Sequence, residues 1–238
     1  MRKIINFLLI ALLSFNILIA TVYVNSRGGI EFVILTLNNI VTTHELKSVN
    51  IDSYKQIEMF KKYPSSKNDI VFVGDSIIKL GAWSEYYPDK SCRNRGISGD
   101  TSQGVCDRLE DILDGRPQKI FLSVGINDLA SNVNRNNILQ NYGKIIEKAN
   151  GTKLYIFSLL PVNTKLVNGN YHIANKDIMD LNQKIKELCF KNNIVYTDVY
   201  KAFIDETGQM KSSLTTDGIH ITPEAYLILS EIIKQYMY

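Results

Sequence analysis

From residue 69 onward the chain alternates short apolar runs with stretches of helical period, and this alternation restricts its fold more than any other feature. The runs "DIVFV" (69–73), "KIFLSV" (119–124), "KLYIFSL" (153–159) and "NIVYTDV" (193–199) are rich in β-branched or aromatic residues, and polar segments precede them. They read as strands, and a weaker one is expected near "SCRNR" (91–95). Between them Val105-Leu109-Ile112-Leu113, Ile138-Tyr142-Ile145-Ile146 and Ile178-Leu181-Ile185-Leu188 keep helical spacing. Ala225-Ile228-Leu229-Ile232-Ile233 does so near the end, with Thr222 placed as cap and Pro223 as first helical residue. Strands that alternate with helices form a sheet that is mostly parallel and covered on both faces. The predicted fold is therefore α/β: a three-layer α/β/α sandwich around a five-stranded, mostly parallel sheet. A chain of 238 residues accommodates one such domain and an appendage.

The appendage is N-terminal. After Met-Arg-Lys, residues 4–24 ("IINFLLIALLSFNILIATVYV") run without a charge, long enough to span a bilayer as a hydrophobic helix. Arg2 and Lys3 hold the N-terminus in the cytoplasm and send the remainder across. The length favours a retained anchor over a cleaved signal, although small residues near Asn25-Ser26 permit cleavage; in both cases the body is expected outside the cytoplasm. The expected organisation is an anchor or signal over 1–26, a partly helical connector over 27–68 and the α/β domain over 69–238. In the connector, Tyr54, Ile57, Phe60 and Tyr63 mark one face of a short helix. A net charge of +3 with interleaved signs gives no footprint for nucleic acid. Cys92, Cys106 and Cys189 have no CxxC spacing and no nearby histidine, so no metal site is indicated; they read as free thiols, with a Cys92–Cys106 bridge left open.

Ligands of open α/β sheets bind beyond the carboxyl ends of the strands, where strand order reverses. At those ends stand Gly74-Asp75-Ser76, "NRGISGDTS" (94–102), "GINDLA" (125–130) and, before the last helix, "TTDGIHITPE" (215–224). Acyl transfer needs a nucleophile, a base, a group that orients the base, and donors aimed at the oxyanion. Ser76, on a strand-to-helix turn, has a nucleophile's exposure; His220 is the natural base, and Asp217 can fix its tautomer from the same loop. The Ser76 and Gly99 N–H groups and the Asn127 amide are the candidate oxyanion donors. Any one of these segments is an ordinary turn or cap; their conjunction at successive strand ends carries the argument.

At these residues the chain resembles the SGNH hydrolases of the GDSL lipase/esterase family, through Ser76 in "FVGDSI", Gly99 in "NRGISGDT", Asn127 in "GIND" and His220 in "DGIH". The resemblance spans about residues 69–236. It implies a flavodoxin-like sandwich, a triad of Ser76, His220 and Asp217, an oxyanion hole of Ser76, Gly99 and Asn127, and no metal or cofactor. "NRGISGDT" and "GINDL" are similar to the platelet-activating-factor acetylhydrolase-like branch, which implies short acyl groups; Ile77 where the family name expects leucine is a small departure. The expected function is hydrolysis of short-chain, acetyl-type esters, with O-acetylated glycans outside the cytoplasm as substrate. The alternatives are a lysophospholipase or thioesterase with the same triad, and a binding module on the same fold. A G-x-S-x-G elbow, a P-loop and a G-x-G-x-x-G are absent. His44 is placed in the connector, and His172 in a loop that borders the pocket without an acid beside it. Trp83 is assigned to the core in preference to the acyl site.

Overall fold

The computed structural model describes residues 51–167 and 173–238, apart from the side chain of Ile51. The apolar segment 4–24, His44 and His172 lie outside the described residues. The chain divides into two compact units, residues 1–54 and 55–238, and the sheet and the site belong wholly to the second. Among the described residues no helix is long and apolar enough to cross a membrane.

Five strands, β1 (Ile70–Gly74), β2 (Cys92–Gly96), β3 (Lys119–Ser123), β4 (Lys153–Phe157) and β5 (Val195–Thr197), form one sheet in the order β2-β1-β3-β4-β5. Every pairing is parallel, with Ile70 opposite Cys92 and Lys119, and Phe121 opposite Tyr155. The strand order reverses between β1 and β3, so the crevice of a doubly wound sheet opens at their carboxyl ends.

The side-chain alternation of the strands sorts the two outer layers. Val71, Val73, Ile120, Leu122, Leu154 and Ile156 face one way. They pack on α4 (Ser102–Leu113), α6 (Arg135–Lys148) and α7 (Asn175–Lys191), whose Leu109, Tyr142 and Leu181 are buried. Ile70, Phe72, Phe121 and Phe157 face the other way, onto a layer that includes α2 (Ser76–Leu80), α3 (Trp83–Tyr86), α8 (Tyr200–Phe203) and α9 (Pro223–Ile233). This second layer is aromatic: Phe72 stacks on Trp83 with centroids 4.1 Å apart and on Phe121 at 5.1 Å. Trp83 is 1% exposed and donates its indole N–H to the Ile78 carbonyl at 2.9 Å, which places it in the core. Truncating such a ring costs about 3–5 kcal/mol.

The expected strands are present with shifted ends. β5 is the most curtailed: Asn193 has φ +56°, the Ile194 N–H returns to the Cys189 carbonyl at the end of α7, and the Ser158 hydroxyl takes the N–H groups of Val199 and Tyr200. β1 begins at Ile70 because the buried Asp69 carboxylate takes the Ser66 N–H, the Ser91 hydroxyl and the Arg93 guanidinium. The connector helix is α1 (Ile51–Lys62); in the second unit Arg95 sits over the Phe60 ring and donates to the Tyr63 carbonyl. All three cysteines are free. A Cys92–Cys106 bridge is not formed, since Cys92 packs with the aromatic layer and Cys106 with the aliphatic one, on opposite faces of the sheet.

Candidate active site

Ser76 is the first residue of α2, directly after β1. The turn is tight because Gly74 has no side chain: a Cβ there would lie 2.0 Å from the backbone oxygen of Ser123 on β3. Asp75 caps α2 by accepting the Ile77 N–H at 3.0 Å. Chain direction and cap together project Ser76 from the carboxyl edge of the sheet.

His220 and Asp217 arrive on the loop before α9, whose first turn is set by Thr222 accepting the Ala225 N–H and by Pro223. Asp217 accepts the backbone N–H groups of Ile219 (2.9 Å) and His220 (2.7 Å) through one oxygen, and faces His220 Nδ1 at 2.7 Å with the other. His220 Nε2 lies 3.0 Å from Ser76 Oγ. With the proton on Nδ1 donated to Asp217, Nε2 is left to accept the Ser76 hydroxyl. Burial works to raise the Asp217 pKa, but the bonds from the His220 ring and from the two backbone N–H groups outweigh it, and the carboxylate is held below its ordinary value.

Gly99 follows β2 with φ +78°, a left-handed conformation suited to glycine, and nothing stands within 4 Å of where its Cβ would be. Asn127 is the second residue of α5 (Ile126–Ala130). Its amide donates one hydrogen to the Asp100 carbonyl at 2.9 Å, and the amide nitrogen carries a second. Ser76, Gly99, Asn127, Asp217 and His220 all line one cavity of about 550 Å³, together with Leu80, Ser98, Val167 and Ile219. All five expected site residues are thus brought to one crevice. Among the described residues no group of three or more His, Cys, Asp or Glu is disposed to hold a metal ion.

A buried polar layer that sequence reasoning missed supports these residues. Arg108, 5% exposed, pairs with Asp100 at 2.9 Å and donates to the Gly74 carbonyl at 3.3 Å. It thereby ties the Gly99 loop to the Ser76 turn. Asp128 accepts the N–H (2.9 Å) and hydroxyl (2.6 Å) of Ser102, and Asn141 donates to the same hydroxyl, which pins α4 to α5. Asn163, after β4, holds the histidine loop by donating its N–H to the Gly218 carbonyl and its amide to the Met210 carbonyl. Burial pushes the Asp75 carboxyl up to about 7, reinforced by Asp100 and Asp128 and opposed by the Ile77 N–H and by His220. Only Arg108 left a readable signal: a charge in register with Val105, Leu109 and Ile112 on the apolar stripe of α4.

Fold and site together define a hydrolase of the acyl-transfer class on an α/β/α sandwich. Comparison with known proteins agrees. The chain belongs to the GDSL-like Lipase/Acylhydrolase family, whose model matches residues 72–228. Its esterase and acylhydrolase character follows from that membership. It is 28% identical over 136 residues to the N-acylneuraminate cytidylyltransferase of Streptococcus agalactiae serotype V, covering 57% of this chain and 32% of that protein. The chain thus spans about a third of the length of the curated relatives it matches. A solved structure from Streptococcus pneumonia, described provisionally as a platelet activating factor, superimposes with a TM-score of 0.75 at 28% identity, over 84% of this chain and 99% of that one. A GDSL-like lipase from Bacteroides thetaiotaomicron superimposes at 0.67 and 26% identity, over 78% and 97%.

Proposed function

We propose that the chain is a serine esterase that removes short acyl groups, acetyl first, from the hydroxyls of carbohydrates outside the cytoplasm. The observation that carries this is the relay from Ser76 Oγ through His220 (3.0 Å) to Asp217 (2.7 Å), opening on a cavity of about 550 Å³. A cavity of that size takes a sugar-sized alcohol. His220 Nε2 accepts the Ser76 proton as Oγ attacks the acyl carbon; the Ser76 and Gly99 N–H groups and the Asn127 amide receive the oxyanion. His220 returns the proton to the departing alcohol. Water then attacks the acyl-enzyme with His220 again as base, the carboxylic acid leaves and the Ser76 hydroxyl is restored. Asp217 holds the ring and stabilises the imidazolium.

One feature is compatible with a carbohydrate and a second favours it. The uncharged segment 4–24 behind Arg2 and Lys3 suits delivery across a membrane, with the body facing surface glycans. The curated relatives, of whose length this chain covers about a third, are named for N-acylneuraminate, an acylated sugar. The same leader also suits a lipid ester, so the deciding assay compares acetate release from O-acetylated glycans and sugars with fatty-acid release from lysophospholipid. Ser76→Ala is the control. Acetate release that disappears in the variant supports the proposal; Ser76-dependent release of fatty acid alone replaces the carbohydrate by a lipid, and equal rates with and without Ser76 refute the serine mechanism.

A further inference from the structure

Beside the crevice of Ser76 the carboxyl edge of the sheet carries another cavity, of about 320 Å³, walled by the end of α5, the start of α6 and the start of α7. The acyl-transfer relay makes no use of it. The two cavities share a helix: Asn127 lines the first, and Leu129, two residues on, lines the second. With a rise of about 1.5 Å per residue, those two positions of α5 stand side by side. The shared wall is also fixed. The N–H groups of Ser131, Asn132 and Val133 return to the carbonyls of Asn127 (3.0 Å), Leu129 (3.0 Å) and Asp128 (2.9 Å). Asn132 stands at φ +54°, a left-handed conformation that asparagine tolerates.

The lining suits a sugar ring, which has apolar C–H faces and a polar rim. Leu129, Val133 and Ile173 offer the apolar wall, and Asn132, Arg135 and Asp177 offer donors and acceptors. Arg135 pairs with Asp177, so the polar side is neutral overall and calls for no charged ligand. That pairing uses Arg135 Nη2 alone, and Nε has no partner among the described residues, so part of the guanidinium's donor set is unspent. A volume of about 320 Å³ stands at the lower end of ligand pockets, enough for one ring.

We propose that this cavity is a second sugar subsite: it holds a neutral sugar residue adjacent to the one that presents its ester to Ser76, which makes the substrate an acetylated oligosaccharide or polysaccharide and not a single sugar. The proposal rests on the esterase reading above and narrows its substrate class. The test measures acetate release from O-acetylated xylose, xylobiose and xylotetraose, and from the matching N-acetylglucosamine series, by wild type, Arg135→Gln, Asn132→Gly and Ser76→Ala. p-Nitrophenyl acetate serves as a substrate too small to reach past Ser76. Asn132→Gly removes the amide and keeps a backbone suited to positive φ. In wild type kcat/KM for at least one series rises about tenfold from monomer to oligomer; in Arg135→Gln, Asn132→Gly or both the rise is lost through KM, with kcat unchanged, as expected of contacts made equally before and during reaction. Turnover of p-nitrophenyl acetate stays at the wild-type rate in both. An oligomer advantage that persists in both variants, or is missing from a wild type that deacetylates the glycans, overturns the subsite and leaves the esterase intact. A loss on p-nitrophenyl acetate as large as that on the oligomers assigns these residues to the fold and overturns the subsite likewise. Glycans untouched by a wild type that cleaves p-nitrophenyl acetate overturn the carbohydrate reading and the subsite with it. Equal p-nitrophenyl acetate turnover by wild type and Ser76→Ala overturns the serine esterase itself.

Discussion

Asp75→Asn is expected to stabilise the protein, increasingly so as pH rises. The wild-type carboxyl is 2% exposed, accepts a single backbone N–H from Ile77, and has the carboxylates of Asp100 and Asp128 as electrostatic neighbours. Burial, reinforced by those neighbours, moves its ionisation from 3.8 to about 7, a displacement worth about 4 kcal/mol. The sign follows from proton uptake. With the folded pKa above the unfolded one, folding binds a proton between these values, so the contribution of Asp75 is fully present below about pH 4 and lost as pH rises to about 7. Asparagine keeps the acceptor for Ile77 and cannot ionise, so its own pH-independent offset cancels when the variant is compared with itself at two pH values. Urea unfolding at pH 4.5, 6 and 8 should show the difference between variant and wild type moving by about 3 kcal/mol in favour of the variant, part of the displacement being already expressed at pH 4.5, on the order of 10 °C in Tm. A difference that stays flat across this range refutes the claim that the Asp75 carboxylate is held against its preference.

Arg108→Met is expected to cost about 3–5 kcal/mol at pH 7.5, because it strands the buried Asp100 carboxylate. The loss should shrink as pH falls and Asp100 protonates, and Asp100→Asn in the same chain should recover part of it; denaturant unfolding of the single and double variants checks this, and a single-variant loss under 1 kcal/mol contradicts it. Gly74→Ala drives a Cβ to 2.0 Å from the Ser123 oxygen and should cost about 3 kcal/mol together with most of the activity. Gly99→Ala meets nothing within 4 Å and should cost only about 1–2 kcal/mol for its left-handed backbone. Thermal unfolding that ranks the two the other way would show that the contact at the turn is relieved at little cost.

What was legible in the sequence was periodicity and chemistry at strand ends. Val71 and Val73 against Ile70 and Phe72 give both the strand and its two faces, because a parallel strand buried on both sides must be apolar throughout. Ser76, Gly99, Asn127, Asp217 and His220 were legible because acyl transfer admits few residue types and the topology sends strand ends to one edge. Illegible were features made by contacts remote in the chain. Nothing local announces that Arg108 will reach Gly74, 34 positions earlier, or that Asn163 will hold the loop of His220. The end of β5 escaped for a related reason: "NIVYTDV" has strand composition throughout, and it is the Ser158 hydroxyl from β4's flank that takes the N–H groups beyond Thr197. The Cys92–Cys106 question was likewise closed only by the side of the sheet to which each residue turns.

A carboxyl that destabilises the fold needs a function to retain it, and the geometry supplies one. Asp75, Asp100 and Asp128 gather beneath Ser76 with Arg108 as a buried guanidinium among them, and attraction from His220 is one of the interactions that favour an ionised Asp75. In the proposed mechanism the same negative charge attracts the positive charge that the His220 ring gains as Ser76 gives up its proton in the transition state. The asparagine that stabilises the protein at pH 8 should therefore slow it, with a loss of about tenfold in kcat, corresponding to about 1.4 kcal/mol, and little change in KM. At pH 5.5, where Asp75 is largely protonated in wild type, the two enzymes should converge. A variant that gains stability on wild type as pH rises from about 4 to 7, and loses turnover against it as pH rises past 7, is the signature of a site held in tension by its own charges. Equal kcat values for wild type and Asp75→Asn at pH 8 would leave that carboxyl with its capping role alone.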